Sequence, residues 1–233
     1  MKERPILFNS AMVRAILAGQ KTQTRRPIKD VPSWEHFGRD IMDWDLSGIH
    51  QLGYGDDDQL EGTDKWYLDV QTDVDDHSRR VIHCPFGKPG DRLWVRETHF
   101  INDYRGARVP EDERADVELV YAATDEDYVR NLEDDEGFAW RPSIHMPRWA
   151  CRLVLEITDV RVERLQAISE EDCAAEGVTR DTEPCDHTRR SCADVGCLGP
   201  TYRSSFADLW TSTGGDWDSN PWVWLIGFRR IAG

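Results

Sequence analysis

The last apolar run of the chain constrains the fold more than any other feature of the sequence. Residues 221–231 (PWVWLIGFRRI) place apolar side chains at consecutive positions, so both faces of a strand formed here would be buried. Such a strand belongs in the interior of a sheet. Residues 151–165 alternate between apolar and polar side chains and predict a second long strand, with apolar positions at Leu153, Leu155, Ile157, Val160 and Val162.

Shorter patterns predict further strands at residues 5–8 and 92–98 and three short helices. The first helix begins with Ser10 as its N-cap and ends at Gly19, and the second begins at Ser169 and ends at Gly177. The third has its apolar positions at Tyr202, Phe206, Leu209 and Trp210. Together these elements predict an α+β domain or a small mixed β-barrel with short flanking helices.

Two acidic stretches, residues 30–82 and 103–137, interrupt these elements. Neither has a sustained hydrophobic period, so we interpret both as long polar insertions. The first is expected to be largely loop, and the second to contain a strand near residues 117–122. Ten Trp, seven Phe and six Tyr supply enough bulky rings to close one core, so we expect residues 1–233 to form a single domain.

The charge balance excludes some classes of function. With a net charge of −15, the protein is repelled by a phosphate backbone and is a poor candidate for a sequence-blind coat on DNA or RNA. A small or neutral ligand such as a nucleoside escapes that repulsion. No apolar run approaches the roughly 18 residues that span a bilayer, and the first residues lack the apolar stretch of a signal peptide. We therefore expect a cytoplasmic protein with no membrane partner.

The segment Gly19-x-Lys21-x-x-Thr24-x-Arg26 places an amine, a hydroxyl and a guanidinium just after the first helix. On its own this spacing is common and is typical of a solvated loop. The neighbouring cations make it the only sharp basic cluster of the chain, formed by Lys21, Arg25, Arg26 and Lys29.

Three segments together resemble the ASCH family, and more narrowly its phage and prophage members. They are the G-x-K-x-x-T-x-R element, residues 89–97 (PGDRLWVRE) and residues 222–228 (WVWLIGF). The likeness extends over about residues 4–29, 84–100, 140–179 and 201–231. It implies a PUA-like β-barrel with a role connected to nucleobases or RNA, and the compact members of the family lack both insertions.

The resemblance also implies a catalytic triad. One compact bacterial branch of the family hydrolyses N4-acetylcytidine with a Lys, a Thr and a Glu, which match Lys21, Thr24 and Glu176 here. The chemistry is consistent with these side chains, because a Thr hydroxyl needs an adjacent base to become a nucleophile and a partly desolvated Lys can lose its proton. Glu176, at the end of the second predicted helix, would carry a proton to the leaving amine.

Six further side chains are expected to bind the substrate. Arg26 would hold a carbonyl or phosphate oxygen through its fork of donors, and Trp94 would stack on a base. Residues 140–149 (WRPSIHMPRW) could line a nucleobase pocket. The predicted set is Arg25, Arg26, Trp94, Glu97, His145 and Arg148.

These observations lead to one preferred function and two alternatives. The preferred hypothesis is an amidohydrolase that recognises a modified pyrimidine nucleoside and hydrolyses an N4-acyl amide of cytidine, with no cofactor for catalysis. The first alternative is a non-catalytic ASCH module that binds RNA or DNA, including single-stranded nucleic acid, through the same pocket and the basic cluster. The second is a phage accessory protein that binds a host protein through its acidic insertions.

A cluster of thiols and one imidazole lies between residues 183 and 200. Cys185-x-His187-x4-Cys192-x4-Cys197 supplies four ligands of the types that close a tetrahedral zinc site. Zinc would hold together a loop that has no core of its own. The alternatives are free thiols or, in an oxidised sample, a disulfide. Four protein ligands leave no open position, so we predict a structural rather than a catalytic zinc.

The zinc prediction is tested by metal analysis of the purified full-length protein. We expect about one zinc per chain, and loss of the metal when Cys192→Ser and Cys197→Ser are combined, since two remaining ligands cannot close a tetrahedral site. A Cys84→Ser variant outside the cluster is the control and should retain the metal. A zinc content below about half an equivalent in the unmodified protein would contradict the prediction.

Overall fold

A computed structural model describes residues 1–29, 83–125, 139–180 and 201–231, and it describes residues 49–51, 66–71 and 77–82 by the course of their backbone. The strands are β1 Glu3–Leu7, β2 Gln23–Pro27, β3 Ile49–Gln51, β4 Trp66–Gln71, β5 His77–Ile82, β6 Arg92–Arg96, β7 His99–Ile101, β8 Leu119–Tyr121, β9 Val154–Arg164 and β10 Trp222–Ile231. The helices are α1 Ser10–Leu17, α2 Glu170–Ala175 and α3 Tyr202–Ser212. The fold is therefore mixed α+β, as the sequence predicts.

The main sheet contains five strands in the order β1-β6-β9-β10-β2. Strands β1 and β6 pair in parallel, and the other neighbours are antiparallel. Strand β10 pairs with β9 on one edge and with β2 on the other, which confirms its predicted interior position. Its Trp224, Ile226 and Phe228 enter one hydrophobic cluster with α1, whereas Val223 enters a second cluster with α2 and α3. Both faces of this strand are buried, as its two-sided apolar pattern requires.

The five-stranded sheet is open rather than closed. Strands β1 and β2 stand at opposite ends of the strand order, so no backbone ladder joins them within the described residues. A side chain spans the gap instead, because Arg26 on β2 donates from Nη2 to the carbonyl oxygen of Leu7 on β1 at 2.7 Å. The resemblance implied a closed barrel, and the structure corrects this expectation. The edge strands β1 and β2 are joined only through the guanidinium of Arg26 within the described residues.

The acidic stretch at residues 30–82 contains three strands, although the sequence analysis interpreted it as largely loop. Strands β3, β4 and β5 form an antiparallel sheet of their own. The sequence of β4 does alternate, with Trp66, Leu68 and Val70 at every second position, but β5 is mostly polar and β3 has only three residues. One alternating strand between acidic runs was therefore overlooked as part of a loop. In the second acidic stretch the expected strand is confirmed as β8, which pairs with β7.

The ends of the helices follow the expected chemistry with one change. Asn9, not Ser10, caps α1, and its side chain accepts a hydrogen bond from the backbone N–H of Met12 at 2.9 Å. Ser169 caps α2 as predicted, since its hydroxyl accepts from the N–H of Asp172. Gly19 and Gly177 follow α1 and α2 with φ of +73° and +83°, in the left-handed region that favours glycine. No helix in the described part of the chain is long and apolar enough to cross a membrane.

Gly177 also allows the ends of α1 and α2 to meet. A Cβ at this position would lie 2.7 Å from the Cβ of Ala15 and 2.9 Å from the Cβ of Lys21. A side chain here would therefore push Lys21 and the preceding residue, Glu176, away from their observed positions.

We expect Gly177→Ala to lower the free energy of unfolding by about 2–4 kcal/mol, because a strained backbone and a steric clash add together. Gly19→Ala is the matched control: its φ is also positive, but its Cβ would meet nothing within 4 Å, so it should cost only about 1–2 kcal/mol. Urea unfolding of both variants gives the comparison. Equal losses at the two positions would contradict the steric part of the argument.

Candidate active site

A buried ion pair lies where α1, α2 and the start of β2 meet. The Nζ of Lys21 donates to Oε2 of Glu176 at 2.7 Å and to the backbone carbonyl of Glu176 at 2.8 Å. The side chain of Lys21 is 0% exposed and that of Glu176 is 3% exposed. The turn after α1 directs Lys21 inward, since the N–H groups of Gln20 and Lys21 both donate to the carbonyl of Ala15.

Arg25 joins this pair to two further carboxylates. Its Nη1 donates to Oε1 of Glu176 at 3.0 Å, its Nε to Oε1 of Glu163 at 2.7 Å, and its Nη2 to Oδ2 of Asp172 at 3.3 Å. Gln23 donates from Nε2 to the side chain of Asp172 as well. Arg25 is therefore saturated by protein acceptors on three sides, which makes it a residue that positions Glu176 rather than one that is free to bind a ligand.

Thr24 lies on the wall of a cavity next to this network. It is 2% exposed and sits on β2 opposite Ile226 of β10. The cavity has a volume of about 200 Å³ and a polar wall formed by Thr24, Arg25, Arg26 and Glu176. Its apolar wall comes from α1 and α3 and consists of Met12, Phe206, Leu209 and Trp210. A planar ring with polar edges matches these two walls.

Arg26 contributes a second cation to the cavity wall. Its guanidinium packs over the ring of Phe8 at 5.3 Å from the centroid and donates from Nη2 to the carbonyl of Leu7. Its Nε is buried and has no hydrogen-bond partner among the described residues. Burial lowers the pKa of Arg26, although the charge of Glu176 opposes that shift.

The environment of Lys21 favours loss of its proton. Burial lowers the pKa of Lys21 below its usual range, the charge and hydrogen bond of Glu176 oppose this, and the charges of Arg26 and Arg25 lower it further. An uncharged amine is the form that can accept a proton from a hydroxyl. In this structure the amine bonds to Glu176, and no hydrogen bond between Lys21 and Thr24 is present among the described residues.

The structure thus brings together five of the predicted site residues. Lys21, Thr24 and Glu176 lie at one place with Arg25 and Arg26, although they come from segments 150 residues apart in the sequence. Lys21 itself does not line the cavity and reaches it only through Glu176, which does.

The other four predicted substrate-binding residues do not line this cavity. Trp94 lies on β6 with the guanidinium groups of Arg96 and Arg148 over its ring at 5.4 and 5.9 Å from the centroid. Arg148 also forms an ion pair with Glu3 at 2.8 Å. His145 is exposed at the end of a short 3-10 turn. The prediction that these residues share the pocket of Lys21 is therefore not supported by their positions.

Glu97 has a structural partner of its own. Both of its carboxylate oxygens accept from Arg152, from Nε and from Nη2, at 2.9 Å each. Arg152 in turn lies over the ring of Tyr121 at 3.9 Å from the centroid. Glu97 is 1% exposed, so this bidentate pair occupies the carboxylate that the sequence analysis assigned to the substrate.

The predicted zinc ligands Cys185, His187, Cys192 and Cys197 lie outside the described residues. Within the described ranges, no group of three or more His, Cys, Asp or Glu side chains is arranged to hold a metal ion. Cys84, Cys151 and Cys173 are free thiols there. The zinc site stays a prediction.

Sequence reasoning missed the residues that complete the site. Glu163 and Asp172 hold Arg25, but each looked like an ordinary polar position of a strand or a helix start. In the sequence, the residues of the cavity's apolar wall indicated only a buried face of α3, on which Phe206 and Trp210 lie four residues apart. Helical spacing indicates burial, yet it does not distinguish a core contact from the wall of a cavity.

Comparisons of this chain with protein-family models, with curated proteins and with solved structures found no match.

The ion pair between Lys21 and Glu176 should be strongly coupled. We expect Lys21→Met and Glu176→Gln each to lower the free energy of unfolding by about 3–5 kcal/mol, because each leaves a buried polar partner unpaired. The double variant should cost less than the sum by more than about 1 kcal/mol, measured by urea unfolding in a double-mutant cycle.

The control cycle uses Arg229→Met and Glu156→Gln. This pair has a similar separation of 2.9 Å, but Arg229 is 67% exposed, so its coupling should stay below about 1 kcal/mol. Equal coupling energies in the two cycles would contradict the role given to burial.

Proposed function

We propose that the cavity binds a modified pyrimidine nucleoside and that the protein hydrolyses an N4-acyl amide of cytidine there. The supporting observation is that Thr24 and Glu176 line the same small cavity and that Glu176 accepts a hydrogen bond from the buried amine of Lys21. A hydroxyl, an amine with a lowered pKa and a carboxyl group are the set that acyl transfer through a Thr nucleophile requires.

The proposed reaction requires the uncharged form of the Lys21–Glu176 pair, an amine with a carboxylic acid. Burial lowers the pKa of Lys21, which favours the amine. The amine can then accept a proton and the acid can donate one. For the reaction, Lys21 must exchange its contact with Glu176 for one with Thr24.

The proposed reaction proceeds in two balanced steps. Thr24 Oγ attacks the acyl carbonyl carbon while its proton passes to Lys21, the C–N bond breaks, and Glu176 protonates the exocyclic nitrogen that leaves. Water then attacks the acyl ester on Thr24, a proton returns to the Thr24 oxygen, and a carboxylic acid is released. The products are the free amino-pyrimidine nucleoside and the acid.

The walls of the cavity support a ligand of this class. A volume of about 200 Å³ is below that of pockets for large ligands and suits a single ring with a short acyl group. Phe206 and Trp210 provide an apolar surface for one face of the ring.

The resemblance to the ASCH family is part of the proposal. A PUA-like relationship is compatible with a five-stranded sheet whose edge strands are joined through Arg26.

The hydrolase proposal is tested by incubating the full chain with N4-acetylcytidine and following the ultraviolet change on deacylation. We expect turnover, and a loss of at least about 1,000-fold in kcat/KM for Thr24→Ala, because the nucleophile is removed. Thr24→Ser should retain measurable activity, since it keeps the hydroxyl.

Thr22→Ala is the matched control, because Thr22 is exposed two residues earlier on the same segment. It should leave the rate within about threefold of the unmodified protein. Full turnover by Thr24→Ala, or none by the unmodified protein, would contradict the proposal. Ligand binding without turnover would favour the non-catalytic binding module instead.

A further inference from the structure

Arg26 is the one cation on the described wall of the cavity that has no carboxylate partner. Arg25 pairs with three carboxylates and Lys21 pairs with Glu176. Arg26 makes no such contact with a carboxylate. Its Nη2 donates to a neutral backbone carbonyl, and its Nε and Nη1 make no hydrogen bond to any described residue. Its donors are therefore only partly used by the protein.

The charges around the cavity are paired with one another except at Arg26. The charged residues on its wall are Arg25, Arg26 and Glu176. Glu176 pairs with Lys21 and Arg25, and Arg25 also pairs with Glu163 and Asp172. With Lys21 protonated, the three cations and the three carboxylates balance, but none of these carboxylates forms an ion pair or hydrogen bond with Arg26.

The other groups near Arg26 do not neutralise its charge. The carboxyl-terminal turn of α3 reaches the cavity at Thr213 and Gly214, and a helix end carries only about half a negative charge. The contact of Arg26 with the ring of Phe8 is worth roughly 2 kcal/mol when desolvated. Burying an unpaired guanidinium costs more than a contact of that kind returns.

We infer that the cavity contains an anion subsite at Arg26, which accepts a phosphate or carboxylate group of the ligand. The inference rests on the proposed function only for the neutral part of that ligand, the pyrimidine. Arg26 favours an anion with two adjacent oxygens, since its planar fork pairs with phosphate and carboxylate oxygens. Two sources supply such a group: a 5′-phosphate, as in an N4-acylated cytidine monophosphate, or a carboxylate at the end of the acyl chain, as in an N4-succinyl group.

The test measures binding rather than turnover. The full chain carrying Thr24→Ala, which removes the proposed nucleophile, is titrated calorimetrically with N4-acetylcytidine, with its 5′-monophosphate and with N4-succinylcytidine. We expect one of the two anionic ligands to bind about 10- to 100-fold more tightly than N4-acetylcytidine, the range for a hydrogen bond to a charged group. The anionic ligand that binds more tightly than N4-acetylcytidine identifies the source of the anion, a 5′-phosphate or an acyl-chain carboxylate.

The residue is then tested in the same background. Arg26→Gln should remove the preference, whereas Arg26→Lys should keep part of it, because a Lys retains the charge without the fork. Arg229→Gln is the control, since Arg229 is a solvent-exposed cation on β10 that pairs with Glu156. It should leave the preference unchanged. If Arg26→Gln fails to fold after losing its contact with Leu7, the Arg26→Lys comparison and competition by inorganic phosphate decide the question.

Two results would overturn the inference: neither anionic ligand binds more tightly than N4-acetylcytidine, or the preference survives in Arg26→Gln. Failure of the hydrolase proposal gives a different result. In that case the unmodified protein turns over none of the three ligands, yet the anion preference and its dependence on Arg26 persist.

Discussion

The structure depends on the neutralisation of one buried ammonium group. Lys21 leaves α1, which covers one face of the main sheet, and Glu176 ends α2, which covers the other face with α3. Their ion pair lies where the two helices meet near the start of β2, and Gly177 permits the close approach. Removing either charge would leave the other buried without its partner, so the two layers of the fold and the candidate site are held by the same contact.

The patterns that predict the fold are those in which local sequence and burial agree. The two-sided apolar run at residues 221–231 correctly predicts the interior strand β10, and Ser169 and Gly177 correctly mark α2. The open edge of the sheet was not predictable from the sequence. Closure depends on whether β1 and β2 form backbone hydrogen bonds with each other, and the residues of these strands do not indicate whether they do. In the first acidic stretch the alternation is confined to β4, because β5 is mostly polar and β3 has only three residues.

The candidate site was predictable only where a resemblance supplied the residues. Lys21, Thr24 and Glu176 do lie together, but spacing alone would have left Lys21 in a solvated loop. Conversely, Glu97 was assigned to the substrate from its place in the sequence, which gave no sign that Arg152 donates to both of its carboxylate oxygens. A sequence lists the charged groups, whereas function depends on which charges remain after the protein has paired the rest. That information exists only in three dimensions.

The same pairing imposes a compromise on the site. Arg25 and Arg26 both lower the pKa of Lys21 by their charge, which favours the free amine that a Thr nucleophile needs. An anion bound at Arg26 would cancel part of that field and make Lys21 easier to protonate. An anionic group would therefore improve affinity while making the amine a less available base. Arg25, whose charge is held by protein carboxylates, keeps its effect on Lys21 whichever ligand is bound. In the proposed site, one fixed cation would therefore tune the base and a second cation, Arg26, would recognise the ligand.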